Sequence, residues 1–369
     1  MKIKKNTKII GLIVLASISL MLMVNINSTF AFWNWVEWEG TITDEYGYEI
    51  SGASVLLKSG STTLDSDITD SNGYYYIKEY VSTTDYLKLH VSKENHSTES
   101  MHVLAWDIGE PWQYDFTIYY VEKWAVVIGI DDYSVRSDLL YCENDAEDWY
   151  NELISSNGFD FDYIEMYQDS SSGCDGRAEE LVVKDALTDM VNGADAGDII
   201  VFIFAGHGYK ANETSYALEM WDAGNGQNGE DGFLYDNELT AILDDSIAER
   251  VFLFLDCCYG SQFYDDINTL SNKNQFYLSG ADQDDDVYAD QNNQNGCWTQ
   301  CFLNEAWADE YSRSTSVSFD DIHQEGRDKY DYHESQSDYW YDANQNPTGP
   351  NFYGPDFCLS KTGISSPNS

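Results

Sequence analysis

The chain has 369 residues, of which 43% are hydrophobic and 15% aromatic, so it is too apolar for a disordered acidic tail and long enough for two domains. Its 65 acidic and 19 basic residues give a formal net charge of −46, which repels phosphate backbones and excludes nucleic acid as a partner. The charge favours cationic partners, namely basic peptides or a divalent metal ion; the alternative is that it serves solubility alone.

Residues 1–31 have the pattern of a secretory signal peptide. Four lysines precede an apolar run over residues 9–24, and the small residue Ala31 follows at the expected cleavage position. We therefore expect this segment to be removed and the mature protein to be secreted or held at the cell surface. The alternative is an uncleaved anchor, because the run approaches the lower length limit for spanning a bilayer. Only in that case do we expect contact with a membrane.

Residues 35–120 have the pattern of an all-β domain. Short runs rich in Val, Ile, Leu, Tyr and Thr are separated by turn signals such as Tyr46-Gly47, which predicts a sandwich of about five to seven strands. The domain resembles the carboxypeptidase-regulatory-like family in three segments: Gly40-Thr-Ile-Thr-Asp, Gly52-Ala-Ser-Val and Thr69-Asp-Ser-Asn-Gly-Tyr-Tyr. This resemblance implies an immunoglobulin-like sandwich that carries no catalytic residues.

From residue 121 onward, apolar strands alternate with helices. The pattern predicts strands at 123–130, 163–167, 198–205, 250–255 and 275–280, and helices at 144–154, 178–191 and 236–243. Such alternation requires right-handed crossovers, so we expect an α/β domain with a mostly parallel sheet that helices cover on both faces. We place this domain at residues 121–361 and a short tail at 362–369. Active sites in such sheets lie beyond the carboxyl ends of the strands.

Two reactive residue types follow two consecutive buried strands. His207 follows the third predicted strand, and Cys257 and Cys258 follow the fourth. Neighbouring parallel strands end close together, so we expect the imidazole beside one of the two thiols. An adjacent imidazole activates a thiol as a thiolate nucleophile, which predicts cysteine-based catalysis. The alternative is that a buried histidine and a buried cysteine end these strands by chance.

Four segments are similar to the caspase-like cysteine peptidases, and most of all to their metacaspase and orthocaspase branch. They are Val126-Val-Ile-Gly-Ile, Leu140-Tyr-Cys-Glu-Asn-Asp-Ala, Phe204-Ala-Gly-His-Gly and Phe254-Leu-Asp-Cys-Cys-Tyr-Gly, and the likeness covers about residues 122–360. It implies that His207 is the general acid and base, that Cys258 is the nucleophile, and that Cys257 points the other way. It also implies an oxyanion hole formed by the backbone N–H groups of Gly208 and Cys258. No orienting acid is evident near His207, and the chemistry requires no cofactor.

Acidic residues near the predicted site favour cleavage after arginine or lysine. Asp256 lies two residues before Cys258, and Asp145 matches the pocket acid of the resembled family. A partly desolvated carboxylate pairs well with a guanidinium group, which donates two parallel hydrogen bonds to it. The acids at 284–286 could also reach the pocket. The alternative for Asp145 is an acid that stabilises the first turn of a helix.

Acidic residues also suggest activation by calcium. Asp222, Glu230 and Asp231 lie in a Gly- and Asn-rich loop, and Asp265 follows Cys258 by seven residues, as a calcium-site acid does in calcium-dependent members of the resembled family. Clustered carboxylates that repel one another are relieved when they bind a hard divalent cation. The alternative is a solvated acidic loop without a metal ion.

Two functional classes are compatible with the sequence. The first is an exported cysteine endopeptidase whose substrates are peptides or proteins with basic residues. The second is a surface-binding or adhesion protein in which the caspase-like domain has lost catalysis. The presence of both His207 and Cys258 favours the enzyme.

Overall fold

The structure is a computed structural model. It describes residues 33–82, 85–93, 96–103, 111–155, 161–248, 250–267, 269–270, 275–280, 289–290, 294–308, 316–335 and 358–360. The predicted signal peptide, the predicted tail and the acids at 284–286 lie outside these ranges. No helix in the described ranges is both long enough and apolar enough to cross a membrane. The chain divides into two compact units, one comprising residues up to 92 with 99–117 and the other comprising residues 93–98 with 118 onward.

The first unit consists of β-strands, which confirms the all-β prediction. Its strands are β1 (Trp33–Thr43), β2 (Ser54–Ser59), β3 (Thr62–Ile68), β4 (Tyr74–Ser82), β5 (Leu87–Ser92), β6 (Glu99–Val103), β7 (Trp112–Gln113) and β8 (Phe116–Thr117). One sheet has the order β4-β1-β7 with β8 also paired to β1, and the other has the order β3-β2-β5-β6. Inward residues alternate along β1, where Val36, Trp38 and Ile42 are buried and Trp33 and Trp35 are exposed.

The second unit contains further strands and all of the described helices. The strands are β9 (Lys123–Gly129), β10 (Tyr163–Gln168), β11 (Gly176–Arg177), β12 (Ile199–Ala205), β13 (Gly208–Asn212), β14 (Ser215–Glu219), β15 (Phe233–Tyr235), β16 (Arg250–Asp256), β17 (Gln275–Gly280), β18 (Ala289–Asp290), β19 (Asn295–Gly296), β20 (Ser316–Ser318) and β21 (Cys358–Ser360). The helices are α1 (Cys142–Ile154), α2 (Glu180–Gly193), α3 (Asp236–Asp244), a 3₁₀ turn (Gly260–Phe263), α4 (Tyr264–Ile267), α5 (Cys297–Thr299), a π-helix (Gln300–Trp307) and α6 (Phe319–Ser335).

The main sheet has six parallel strands in the order β11-β10-β9-β12-β16-β17, as the sequence predicts for an α/β domain. All seven residues of β12 are buried, because the sheet is covered on both faces. One face of β12 packs with α1, the π-helix and α6 through Ile199, Val201 and Ile203. The other face packs with α2 and α3 through Ile200 and Phe202. The prediction of a parallel sheet with helices on both faces is confirmed.

A smaller sheet follows the third predicted strand directly. Strands β13, β14 and β15 form an antiparallel sheet that begins at Gly208, the residue after His207. The sequence pattern does not predict these strands, because they are short and interrupted by Gly- and Asn-rich turns. Their position matters for function, since they continue the chain out of the carboxyl edge of the main sheet.

Candidate active site

The pairing register of three central strands places His207 and Cys258 at one level. Ala205, the last residue of β12, pairs with Gly129 of β9 on one side and with Asp256 of β16 on the other. His207 and Cys258 each follow this pairing level by two residues. The backbones then come into contact, because a Cβ atom added to Gly208 would overlap the carbonyl oxygen of Cys258. The two segments that carry the predicted dyad are therefore adjacent, and only glycine fits at position 208.

The hydrogen bonds of His207 determine which ring nitrogen carries the proton. Its backbone N–H donates to the Tyr133 hydroxyl at 2.7 Å, and its carbonyl accepts from the Glu219 N–H at 2.9 Å. Its Nε2 atom lies 2.8 Å from the Ser137 carbonyl oxygen. A carbonyl oxygen only accepts, so Nε2 carries a proton and the lone pair of the neutral ring is on Nδ1. Nδ1 is thus the atom that can accept the thiol proton.

The Ser137 carbonyl is the orienting group that the sequence did not reveal. We looked for an acidic side chain near His207, whereas the partner is a backbone oxygen, which every residue type carries. The neighbouring residue Arg136 secures this segment, because its Nε lies 2.7 Å from Oε2 of Glu219, whose side chain is 7% exposed. Burial raises the pKa of Glu219, and the positive charges of Arg136 and of His207 act in the opposite direction.

The two adjacent cysteines have different surroundings. Cys257 is buried in the core on the α2 side of the sheet, and burial raises the pKa of its thiol well above the usual range. Cys258 is partly exposed. Tyr259 then takes a left-handed conformation with φ of 62°, and the Gly260 N–H donates to the Cys257 carbonyl at 3.1 Å. Next to this tight turn, Cys258 is partly exposed whereas Cys257 is buried.

The two predicted pocket acids lie together in the structure. Asp145 lies in the first turn of α1 and Asp256 ends β16, and both are 1% exposed. A Cβ atom added to Gly296 would stand 2.6 Å from Oδ2 of Asp256 and 2.7 Å from Oδ2 of Asp145. Burial and the charge of Asp256 raise the pKa of Asp145 well above its usual range. Burial raises the pKa of Asp256 to about 6.

The segment that begins at β19 supplies the hydrogen-bond donors of this acidic pair, and no sequence motif pointed to it. The Gly296 N–H donates to Asp145 at 2.8 Å, and Asn295 Nδ2 donates to the same carboxylate at 3.2 Å. Thr299 donates both its N–H and its hydroxyl to Oδ2 of Asp256, at 2.9 and 2.7 Å. These partners are far away in the chain, so no local pattern could have pointed to them.

Among the described side chains, the predicted calcium ligands Asp222, Glu230 and Asp231 do not form a cluster with metal-like spacing. Oδ1 of Asp222 accepts the Glu180 N–H at 3.0 Å at the start of α2. Glu230 accepts from Lys184 Nζ at 2.7 Å, and Asp231 accepts the Phe233 N–H at 3.1 Å. Asp265 lies in α4, and its side chain is outside the described structure. The described carboxylates of the acidic loop therefore have hydrogen-bond or ion-pair partners within the chain.

A lysine takes the central position in the one described cluster of acids that has metal-like spacing. Oxygen atoms of Glu180, Glu230 and Glu238 lie within 4.8 Å of one another. Lys184 Nζ lies 2.6, 2.7 and 2.9 Å from them. Burial alone would lower the pKa of Lys184, but its three carboxylate partners raise this pKa above the ordinary lysine value. Glu180 also accepts the Asp231 N–H at 2.9 Å, so the cluster holds the acidic loop against α2.

Comparison with known proteins connects this site to a family. The family model described as "Caspase domain" matches residues 122–348. Metacaspase-4 of Arabidopsis thaliana is 35% identical over 89 residues, which are 23% of this chain and 20% of that protein, so the match covers about a fifth of this relative's length.

Two solved structures also match. A protein from Geobacter sulfurreducens has 18% identity and a TM-score of 0.45 over 63% of this chain and 94% of that one. 3-Chlorocatechol 1,2-dioxygenase from Rhodococcus opacus has 12% identity and a TM-score of 0.20 over 25% of this chain and 62% of that one.

Proposed function

The chain belongs to the caspase domain family, and from that premise we propose that it is an exported cysteine endopeptidase with His207 and Cys258 as its dyad. The observation that carries the proposal is the strand register that brings these two residues to one level, with the backbone of Gly208 against Cys258. The decisive experiment is labelling with a peptidyl electrophile that ends in arginine. We expect one covalent adduct, located on Cys258 and absent from Cys258→Ala.

The geometry supports the following reaction. The Cys258 thiol transfers its proton to Nδ1 of His207, and the thiolate sulfur attacks the peptide carbonyl carbon. Backbone N–H groups of Gly208 and Cys258 are the proposed donors to the oxyanion that forms. The tetrahedral intermediate expels the amine, which takes the proton from Nδ1, and leaves a thioester on Cys258. Water, deprotonated by His207, then hydrolyses the thioester and restores the thiol.

We propose that the cleaved bond follows arginine or lysine. Asp145 and Asp256 form a buried acidic pair, of which Asp256 lies two residues before Cys258, and a cationic substrate side chain would favour the charged forms that burial disfavours. We expect a substrate ending in arginine to be cleaved at least about 10²-fold faster, in kcat/KM, than the same peptide ending in aspartate, since the aspartate would add a third charge of the same sign. The measurement is kcat/KM for matched fluorogenic peptides.

Two variants test the assignment of the pocket. Asp145→Asn should reduce the preference for arginine, whereas Glu147→Gln, the same carboxyl-to-amide replacement at an exposed position of the same helix, should leave it unchanged. The specificity proposal is wrong if the aspartate or asparagine peptide is cleaved faster than the arginine peptide.

The raised pKa of Asp256 predicts a pH dependence of this preference. Burial raises the pKa of its carboxyl group to about 6, so the group becomes increasingly protonated below that pH and attracts a cation less strongly there. The ratio of kcat/KM for arginine and glutamine peptides should therefore rise as the pH increases through about 6. The protonation of the dyad changes kcat/KM for both peptides by the same factor, so it does not affect their ratio. A ratio that is constant between pH 5 and 7.5 would contradict a role for this carboxylate.

Calcium activation is a separate proposal that rests on the family resemblance and on Asp265, because the acids of the loop have other partners. We expect chelated enzyme to gain activity at millimolar calcium and to lose that gain in Asp265→Asn. The measurement is the rate after addition of calcium, of magnesium, or of sodium at equal ionic strength. An equal gain with sodium would show charge screening instead of a site.

Export and the identity of the first unit are further proposals. We propose that residues 1–31 direct secretion and that the first unit is an immunoglobulin-like module of the carboxypeptidase-regulatory-like type. Sequencing of the mature N-terminus from the producing cell tests the first point, and a start near residue 32 is expected. The competing proposal is that the protein is catalytically silent and binds a surface. The exposed rings of Trp33, Trp35 and Tyr80 favour this alternative, because they offer apolar contact area. Absence of any label on Cys258 would support it.

A further inference from the structure

A cavity lies at the end of the main sheet opposite to the catalytic dyad. It has a volume of about 290 Å³ and is bordered by the first residues of β9 and β10 and by helix α2. The rings of Trp124 and Tyr163 stack beside it, with centroids 3.8 Å apart and planes inclined by 18°. Ala186 and Met190 of α2 provide an apolar wall. The cavity therefore offers aromatic and aliphatic surface to a ligand.

The charged side chains that line this cavity are all acidic. They are Asp162, Glu165 and Asp189, and no lysine or arginine lines it among the described residues. The neighbouring acids Glu122 and Asp162 raise the pKa of Tyr163, which shows that the potential at this position is negative. A ligand with a positive charge on an apolar stem fits this combination of acids and carbon surface.

The strand beside the cavity has an open edge. β10 pairs with β9 along its whole length but with β11 only at Tyr167 and Gln168. On this outer side, the Met166 N–H donates to Asp175 Oδ2 and the Met166 carbonyl accepts the Asp175 N–H, both at 2.8 Å. Along a strand, the backbone N–H and carbonyl groups of every second residue point to the same side. The N–H and carbonyl groups of Ile164 therefore point outward, as those of Met166 do. No described strand pairs with them there.

We propose that this cavity and the Ile164 edge form a second peptide-binding site, which takes an extended segment that carries a lysine or arginine. The ligand backbone adds to β10 through Ile164, and its basic side chain enters the cavity, with its methylene groups on Met190 and its charge near Asp162 and Asp189. Strand addition gives affinity through the main chain, and the acidic cavity selects the side chain. The site requires binding alone, so it does not depend on the peptidase activity.

The position of this site has a consequence for substrate length. The cavity lies at the start of β9 and the catalytic dyad lies beyond its end. The seven residues of β9 span about 20 Å at 3.3 Å per residue, so the two sites are about this far apart. A tripeptide in the catalytic site cannot reach the cavity. A protein or long peptide with two basic segments can occupy both sites at once, so the second site would retain long basic substrates.

The test uses the full chain with Cys258→Ala, which binds peptide without cleaving it. The probe is a dye-labelled, blocked peptide of alternating threonine and lysine, and its matched control has glutamate in place of lysine. Fluorescence anisotropy measures affinity, and hydrogen–deuterium exchange measures the protection of residues 161–168. We expect binding of the lysine peptide alone, and slower exchange of this segment when the peptide is bound.

Charge-matched variants distinguish the site from general attraction to an acidic surface. Asp189→Asn or Glu165→Gln should weaken binding about two- to fivefold, the effect of one exposed ion pair. Asp185→Asn changes the same charge on the same helix one turn away, outside the cavity, and should have no effect. Protection of 161–168 should persist in Asp145→Asn, which alters the catalytic pocket. Equal weakening by Asp185→Asn, or bound peptide without protection of this segment, would overturn the proposal.

Discussion

Replacing Cys258 or His207 by alanine is expected to lower kcat/KM by about 10³-fold or more while the protein stays folded. Cys258 supplies the attacking sulfur, and His207 supplies the base that removes its proton, so each loss removes the whole covalent pathway. Because the two residues act as one unit, the double variant should be little worse than either single variant. The measurement is kcat/KM with an arginine peptide, with a circular dichroism melt as the check on folding.

The neighbouring thiol is the matched control for this experiment. Cys257→Ala removes a sulfur from the core, where Cys257 is fully buried, so it should cost about 1 kcal/mol of stability and leave activity within about threefold. Activity in Cys258→Ala together with an inactive Cys257→Ala would show that the nucleophile is the other thiol. Full activity in both would rule out thiol catalysis by this pair.

The replacement Lys184→Met is expected to lower the free energy of unfolding by about 3–5 kcal/mol. The ammonium is the common partner of three carboxylates, and one of them, Glu180, has a side chain only 1% exposed. Burial raises the pKa of Glu180, and Lys184 is what holds its charged form in place. Without the ammonium, Glu180 is left as a buried carboxylate without its cation, and the partly exposed Glu230 and Glu238 repel it. Urea denaturation followed by tryptophan fluorescence measures the difference.

Two comparisons make this prediction specific. Lys210→Met removes a lysine whose partner, Glu213, is 92% exposed, so it should cost less than about 1 kcal/mol. In the double variant Lys184→Met with Glu180→Gln, part of the loss should be recovered, because the buried unpaired charge is gone. A loss in Lys184→Met no larger than that of Lys210→Met would mean that the cluster does not stabilise the fold.

The sequence was informative where structure depends on runs of neighbouring residues. The strands β9, β12 and β16 were predictable because each is a continuous apolar run, which is what burial on both faces of a parallel sheet requires. Their sequential order made adjacent pairing the simplest topology, and this placed His207 and Cys258 side by side. The strand β7 of the first unit was missed because it has only two residues, too few for a period to show.

The parts of the site that were not predictable depend on contacts between distant segments. Gly296 meets Asp145 across 151 positions of the chain, and Thr299 meets Asp256 across 43. The Ser137 carbonyl is a backbone atom and leaves no trace in residue type. Glu230 matched a calcium ligand by residue type, but Lys184 of helix α2 lies 2.7 Å from it. Packing of the helices decides such partners, and local spacing does not contain that information.

The pairing register between β12 and β16 determines where the chain can accept insertions and deletions. The dyad is aligned by the pairing of Ala205 with Asp256, and a slip of one residue would displace the thiol by about 3.3 Å and reverse the facing of every side chain in the strand. Beyond His207 and Gly208, the chain between these strands, which includes the rest of the hairpin up to Glu219 and helix α3, connects them without setting their alignment. Insertions and deletions there should be tolerated in descendants of this gene, whereas a single-residue indel inside either strand should be lethal to activity.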